Sequence, residues 1–366
     1  MFKDPLLEPV WEKVRQDIRI SPEEALSLYD TSDLLGLGKI ANSIKERRTG
    51  DRATFVVNRQ INPTNLCVLS CKFCDFASKK GRPNAYAMDM EEILSKCSTD
   101  LREVHIVGGL HHEWPFARYL AIVREIHENF PGIQIKAYTA VEIDFFAKTE
   151  KCSVKEILAR LKEAGLVCLP GGGAEVFSER NRKALFPFKI GAPRWLEIHK
   201  TAHELGIRSN STLLYGHMET FEERVEHMNK LRNLQDETGG FLSFIPLAYQ
   251  TGKTNIIKRP ASAVDDLKTM AVSRIFLDNF EHIKSYWVTL GEETASLALS
   301  FGADDLDGTI MEERIMHAAD APSPLGMARE RLERLIRSAG RVPVERDALY
   351  GTVDRTADLK PAPACA

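Results

Sequence analysis

The sequence predicts an α/β protein in which a closed (β/α)8 barrel of the TIM type carries helical extensions at its N- and C-terminal ends. Three observations predict it. Strand-like and helix-like segments alternate seven or eight times between about residue 51 and residue 310, the pattern of parallel strands joined by crossover helices. Polar residues share one face within strands: Asn58, Gln60 and Asn62 fall opposite Phe55 and Val57, and Arg208, Asn210 and Thr212 fall together. A strand sandwiched in an open α/β sheet is apolar on both faces, so such a face suits the lining of a barrel. Glycines and a cysteine cluster stand where strands end, the place where barrel enzymes keep their chemistry.

The 366 residues divide on this basis into an N-terminal helical extension (1–50), a barrel (51–310) and a C-terminal helical extension with a tail (311–366). In the first segment Ser21 as N-cap, Pro22 at the first helical position and Glu24 complete a capping box, and Gly50 closes it. The first strand covers residues 53–62, and a helix opens at Asp89 with Glu92 three residues on. EVHIVGGL is a strand ending in glycines, FARYLAIVREIHENF a helix and IQIKAYTAVE a strand. SVKEILARLKEAG is a helix with Ser153 and Glu156 as its box and Gly165 as its stop. LVCLPGGGAE is a strand running into a glycine triplet, PRWLEIHKTAHELG a helix and IRSNSTLLYG a strand. The helix TFEERVEHMNKLRNLQDETGG is capped by Thr220 and Glu223 and carries Val225, Met228, Leu231 and Leu234 along one face. FLSFIPLAY is a strand, VDDLKTMAVSRIFLDNF a helix and IKSYWVTLG a strand; a short helix at 292–299 leads to GADDLDG, an irregular eighth strand.

Composition narrows the class. With 43% hydrophobic and 28% charged residues the chain can bury a substantial core. A net charge of −3 argues against nucleic acid as partner, because phosphate binding needs a concentrated basic face. No apolar run reaches the length of a spanning helix, and the N-terminus lacks the apolar stretch of a secretory signal. Seven cysteines, three of them crowded together, do not resemble a disulfide framework. The expectation is a cytoplasmic, reduced protein without a membrane or nucleic-acid partner.

The crowded cysteines are Cys67, Cys71 and Cys74, in NLCVLSCKFCDFA just after the first strand. Three chemistries compete. Zinc would need a fourth ligand and usually takes cysteines in separated pairs. Inert buried cysteines do not explain three on one loop. An iron–sulfur cluster on three thiolates leaves one iron open to a substrate.

The C-x3-C-x2-C spacing with Phe73 before the last cysteine resembles the signature of the radical S-adenosylmethionine (radical SAM) superfamily. The resemblance implies a [4Fe–4S] cluster on Cys67, Cys71 and Cys74, with S-adenosylmethionine (SAM) on the open iron and a 5′-deoxyadenosyl radical made by one-electron cleavage of its sulfonium. Cys97, Cys152, Cys168 and Cys365 are expected in the core or at the surface. In the superfamily a GGE-type motif after the second strand binds the SAM amino group; here Gly108 and Gly109 keep the glycines and Leu110 replaces the acid. Gly172 and Gly173, in the triplet that Gly171 opens, offer bare backbone to the ligand. Glu175 and Glu142 are rival carboxylates for its ribose or ammonium. Ser209, Asn210, Tyr215 and His217 are polar groups expected at the active-site end of the fifth strand, with Ser209 as a cofactor contact. His217, His111 and Arg208 are the candidate catalytic or substrate-binding side chains, Arg208 through a bidentate grip on a carboxylate.

Segments spread over the chain, among them HIVGGLHHEWPF, LPGGGAEVF, RWLEIHKTAHELGIRSNSTLLYGHMET and GADDLDGTIMEERI, resemble the aminodeoxyfutalosine synthase family of the futalosine route to menaquinone. The resemblance implies a transferase that adds the adenosyl radical to the vinyl carbon of 3-[(1-carboxyvinyl)oxy]benzoate. Aryl migration and loss of the carboxylate as bicarbonate or CO2 then give 6-amino-6-deoxyfutalosine and methionine. It also implies an electron donor such as flavodoxin or ferredoxin. Cationic or multiple hydrogen-bond donors must meet the substrate's two carboxylates; Arg208, His111, His217, Asn58, Gln60 and Asn62 are the candidates. The rivals are cyclic dehypoxanthinyl futalosine synthase, the deazaflavin-forming synthases and, remotely, a non-catalytic iron–sulfur or zinc scaffold.

Overall fold

The computed structural model describes residues 2–254 and 256–355; Cys365 lies outside the described residues. Three helices come first: α1 (Leu7–Arg15), α2 (Pro22–Ser27) and α3 (Leu34–Thr49). The Ser21–Glu24 box opens α2, and Gly50 ends α3 at φ 62°, a left-handed conformation that favours glycine.

The expected first strand is two. β1 (Arg52–Val56) and β2 (Asn58–Ile61) part at Val57 and join different sheets. Side chains replace the ladder at the break. The Asn58 N–H donates to Thr309 Oγ1 at 2.9 Å, and Asn58 Oδ1 accepts from the Ile310 N–H at 2.8 Å. Such side-chain bonds compete with regular pairing.

After α4 (Met90–Ser95) the chain alternates through β3 (Glu103–Ile106), α5 (Phe116–Asn129), β4 (Gln134–Ala137), α6 (Ala140–Glu150), α7 (Val154–Glu163), β5 (Leu166–Leu169), α8 (Glu179–Leu185), α9 (Ala192–Glu204), β6 (Arg208–Tyr215), α10 (Phe221–Thr238), β7 (Phe241–Ala248), α11 (Ala263–Phe276) and β8 (His282–Ile283). Strands β2 to β8 form one parallel sheet in chain order. Past α12 (Trp287–Leu290) and α13 (Glu292–Ala298), β9 (Asp305–Gly308) pairs with β1. It also meets the end of β8 through the Lys284–Asp305 bridge. The Ser285 N–H donates to Asp305 O at 2.7 Å and the Gln60 N–H to Ile310 O at 2.8 Å. Hydrogen bonds thus run round the whole ring, and β9 is its eighth stave.

Along the strands Val104, Ile106, Ile135 and Ala137 are fully buried and alternate with His105 and Lys136, which line the lumen. The apolar set packs under Ile122, Val123 and Ile126 of α5 and Ile157, Leu158 and Leu161 of α7. Each such side chain contributes roughly 1.5–3 kcal/mol on burial, while His105 and Lys136 face the lumen.

Two helices depart from the sequence expectation. The end of IQIKAYTAVE turns into α6, whose capping box is Thr139 and Glu142; Ala140, Val141, Ile143 and Phe146 are all buried, so α6 lacks the one-sided stripe that marks a helix. IKSYWVTLG contributes only β8 before α12, where Trp287 is fully buried and its Nε1–H donates to Gly308 O at 2.9 Å. Beyond the barrel, α14 (Arg329–Ser338) is followed by a strand, β10 (Val342–Glu345), parallel to β1 on the side away from β9. The C-terminal extension is therefore not helical alone.

Candidate active site

Cys67, Cys71 and Cys74 lie on the loop that follows β2, all partly buried, and line one pocket at the C-terminal mouth of the barrel. Backbone bonds fix the loop: the Cys67 N–H donates to Ser78 O at 3.1 Å, the Val68 N–H to Leu110 O at 2.9 Å and the Lys72 N–H to Leu185 O at 2.7 Å. Lys79 Nζ donates to the Cys67 and Leu69 carbonyls at 2.7 and 2.8 Å. Burial pushes the Cys71 thiol up to about 11 and raises the Cys74 thiol too, while the Lys189 ammonium works against both shifts.

Gly108 and Gly109 line the same pocket, and their bareness has a packing cause. A Cβ on Gly109 would stand 2.2 Å from Leu66 O, and one on Gly108 would stand 2.9 Å from Thr64 O. The arm leading into the cysteine loop crosses directly over them. Gly171 is pressed on the β6 backbone, with Ser211 Cα 2.4 Å from its would-be Cβ, whereas Gly172 would meet only Thr139 Cγ2 at 3.2 Å. Gly172 is thus the glycine of this triplet with space before it; Gly173 sits at φ 85°.

Glu142 lines the pocket and is 3% exposed. Its Oε1 accepts from the Gly108 N–H at 3.2 Å and its Oε2 from the Thr139 N–H at 2.7 Å. Burial raises its pKa to about 7, against the pull of those donors. Glu175 also lines the pocket, in a left-handed conformation at φ 50°, and its carboxylate is ion-paired with Lys189. Lys189 Nζ stands 5.1 Å from the centre of the Phe73 ring. Burial opposes the Lys189 ammonium, and the Glu175 carboxylate and Cys71 more than offset it, so its pKa is raised.

Seven expected site residues are not brought to the pocket: Arg208, Ser209, His217, His111, Tyr215, Asn58 and Asn62. Arg208 and Ser209 open β6 rather than end it. In a parallel barrel that is the opposite mouth, about 20 Å from Tyr215 at ~3.3 Å per residue. Arg208 is exposed and its Nε–H donates to Gly240 O at 3.2 Å; Ser209 Oγ sits between His199 Nδ1 at 2.9 Å and His203 Nε2 at 2.7 Å. His217 is spent on its own turn: Nδ1 accepts from the Met218 N–H at 2.7 Å, and Nε2 bonds Leu214 O at 3.0 Å. Burial lowers its pKa against the pull of the Glu219 carboxylate, whose Oε2 lies 3.2 Å from Nδ1. His111 accepts from the Glu113 N–H through Nδ1 at 3.1 Å and stacks between His112 and Trp114. Tyr215 points outward, its hydroxyl donating to Asp266 Oδ1 at 2.6 Å. Of the three amides, Gln60 reaches the pocket; Asn58 Nδ2 is bound to Glu103 at 3.0 Å and Asn62 Nδ2 to Val107 O at 2.8 Å.

Sequence reasoning missed the charged floor. His105, Lys136 and Lys284 line the pocket beside Gln60 and Asn210. Gln60, His105 and Lys136 are aligned partners across β2, β3 and β4. For two of them the signal was available: His105 and Lys136 are lone polar positions between apolar ones in VHI and IKA, the period-2 mark of an inward-facing site, whereas Lys284 is followed by Ser285 and carries no such mark.

Among the described residues no three His, Cys, Asp or Glu side chains gather as ligands of a single ion. A [4Fe–4S] cluster takes one thiolate per iron, so its ligands spread over different corners. Three thiols along one pocket wall fit that group with one iron left open.

A closed parallel barrel with this loop at its C-terminal mouth defines a radical SAM enzyme. Residues 61–231 match the radical SAM superfamily and residues 238–359 the CofH/MqnC C-terminal region. The chain is 48% identical over 361 residues to the aminodeoxyfutalosine synthase of Thermus thermophilus, covering 96% of this chain and 97% of that one. It is 39% identical to the cyclic dehypoxanthine futalosine synthase of Streptomyces coelicolor, covering 94% of this chain and 88% of that one. The solved structure of methylornithine synthase matches in fold with a TM-score of 0.72 at 18% identity, covering 91% of this chain and 97% of that one. The chain belongs to the aminodeoxyfutalosine synthase family, whose cofactors are a [4Fe–4S] cluster and SAM. Among the described residues no helix is long and apolar enough to cross a membrane.

Proposed function

We propose that this enzyme makes 6-amino-6-deoxyfutalosine from SAM and 3-[(1-carboxyvinyl)oxy]benzoate, releasing methionine and the lost carboxylate as bicarbonate or CO2. The observation that carries it is the 48% identity to an aminodeoxyfutalosine synthase along nearly the whole of both chains, against 39% to the cyclic dehypoxanthine futalosine synthase. The pocket supports it: thiols and glycines at the mouth, apolar walls of Leu214, Ile245 and Leu247, and charged groups beneath suit a flat aromatic carboxylate under a nucleoside.

Cys67, Cys71 and Cys74 hold the cluster, which when loaded supplies the electron that cleaves SAM to a 5′-deoxyadenosyl radical. Gly172 gives the nucleoside room. Glu142 takes the SAM ammonium in place of the acid that Leu110 lacks; Glu175 is less suited, because Lys189 already neutralises it. The apolar walls keep water and stray C–H donors away from the vinyl group. The electron comes from a flavodoxin or ferredoxin, and the three crowded thiols support a cytoplasmic location, where thiols stay reduced.

The test is anaerobic reconstitution followed by turnover with a reductant, SAM and the enol ether, read by mass. An adenosyl adduct of the substrate is expected. Free 5′-deoxyadenosine as the sole nucleoside product would overturn the assignment in favour of hydrogen abstraction. Cys71→Ala is expected to abolish both the cluster absorption and turnover.

A further inference from the structure

We propose that Lys284 and His105 make the floor of this pocket a subsite for the aryl carboxylate of the substrate, an inference that rests on the reaction assigned above and names the groups that grip one end of it. Lys284 is fully buried, lines the pocket, and its Nζ makes no hydrogen bond. The nearest carboxylate oxygen is Asp307 Oδ1, 3.5 Å away. Of the other acids nearby, Asp305 and one oxygen of Glu103 are committed, while Glu103 Oε2 makes no hydrogen bond and lies 4.0 Å from Arg346 Nη1. Asp305 Oδ2 accepts from Thr54 Oγ1 at 2.9 Å and is ion-paired with Arg346. Glu103 Oε1 accepts from Lys136 Nζ at 2.6 Å and from Asn58 Nδ2 at 3.0 Å. His105 Nε2 is a second buried atom on this floor without a partner. Burial, with the Lys136 and Lys284 charges, lowers the His105 pKa to about 3, so the ring is neutral and donates to a carboxylate in the tautomer that carries its proton on Nε2.

Buried polar atoms without partners are rare and costly. Two on one pocket floor, one of them the Lys284 amine, whose pKa burial lowers against the pull of Asp307 and Asp305, are completed together by a single carboxylate that accepts from both. Depth selects which carboxylate of the dianion it is. His105 lies about 10 Å down its strand line from Gly108, at ~3.3 Å per residue. The vinyl carbon must meet the adenosyl group near the cysteine loop and keeps its own carboxylate beside it. The ring carboxylate is the end that reaches down, past Leu214, Ile245 and Leu247.

The experiment is equilibrium binding to the reconstituted enzyme with SAM and no reductant, using 3-methoxybenzoate as probe and 3-methoxybenzamide as its uncharged counterpart. The native chain is expected to prefer the benzoate by about ten- to a hundredfold, the range of a charge-assisted hydrogen bond at a buried site. Lys284→Met should reduce that preference below about threefold, with iron content and SAM binding at native levels. The double variant Lys284→Met/Asp307→Asn removes the facing charges together, and carries the test if the single variant fails to fold. A native chain without the preference, or a variant that keeps it, overturns the subsite. The probe neither reacts nor needs an electron. A preference lost in the variant, with no adenosyl adduct from the native enzyme, would therefore fault the reaction and leave the subsite standing.

Discussion

Replacing Lys189 by methionine removes the cation that holds Glu175 and faces the cysteine loop. The side chains of Lys189 and Glu175 are 11% and 13% exposed, so the pair is largely withdrawn from water. Breaking a buried pair by deleting one member costs about 3–5 kcal/mol, most of it the uncompensated charge left behind. The residual exposure here places Lys189→Met near the low end, about 3 kcal/mol. Removing both charges in Lys189→Met/Glu175→Gln should recover most of that loss, leaving the double variant within about 1 kcal/mol of the native protein. Urea unfolding of the cluster-free protein measures all four corners of the cycle. The same substitution removes the charge that opposes the burial-raised thiol pKa values of Cys71 and Cys74. Cluster ligands must be thiolates, so iron uptake by Lys189→Met at neutral pH should be slower and regain speed as pH is raised. A single variant within 1 kcal/mol of native, or a double variant no more stable than the single one, would refute the pairing and its role beside the loop.

Gly109→Ala should disturb the cysteine loop through the Cβ contact with Leu66 O, destabilising the protein by about 1–3 kcal/mol and lowering iron content on reconstitution; Gly172→Ala, which meets one methyl group, should keep iron and raise the KM for SAM. Arg208→Ala is expected to leave kcat/KM for the enol ether within about twofold and stability within about 0.5 kcal/mol; a tenfold rise in KM would contradict its placement at the far mouth. For Glu142 the folded pKa of about 7 lies above the ordinary value of 4.5, so between them the folded chain binds more protons than the unfolded one. The contribution is full below about pH 4.5 and lost as pH rises through about 7, up to roughly 3 kcal/mol in all. The stability of cluster-free Glu142→Gln relative to native should therefore rise across that window, and a flat difference would remove the raised pKa.

Capping and stops were legible because they are local: the boxes at Ser21, Ser153 and Thr220 all form. The barrel was legible from alternation. What escaped were features set by distant segments. The break at Val57 depends on Thr309 and Ile310, which Asn58 meets only after the chain has gone round the ring. Arg208 and Ser209 were expected at a strand end because β6 runs eight residues, twice the length of β3 or β4, and residue types do not reveal length. The histidines were placed correctly as strand followers, but their ring nitrogens are consumed by neighbouring backbone. Lys136 was visible as a lone charge between apolar neighbours, whereas Lys284, with Ser285 beside it, stands out only once the strands are paired.

The position of β1 between β9 and β10 has a consequence for the order of events in the cell. Arg52 is partnered by Val342, about 290 residues later, which at ~5–20 residues per second takes about 15–60 s to be synthesised. Until β9 and then β10 are made, β1 has bare edges, a surface prone to wrong pairing, and the cysteine loop is already out with no finished ring around it. Loading of the cluster on the nascent chain would expose it to solvent and oxygen. The topology thus favours insertion after release from the ribosome, into a barrel whose last-made strand has covered its first.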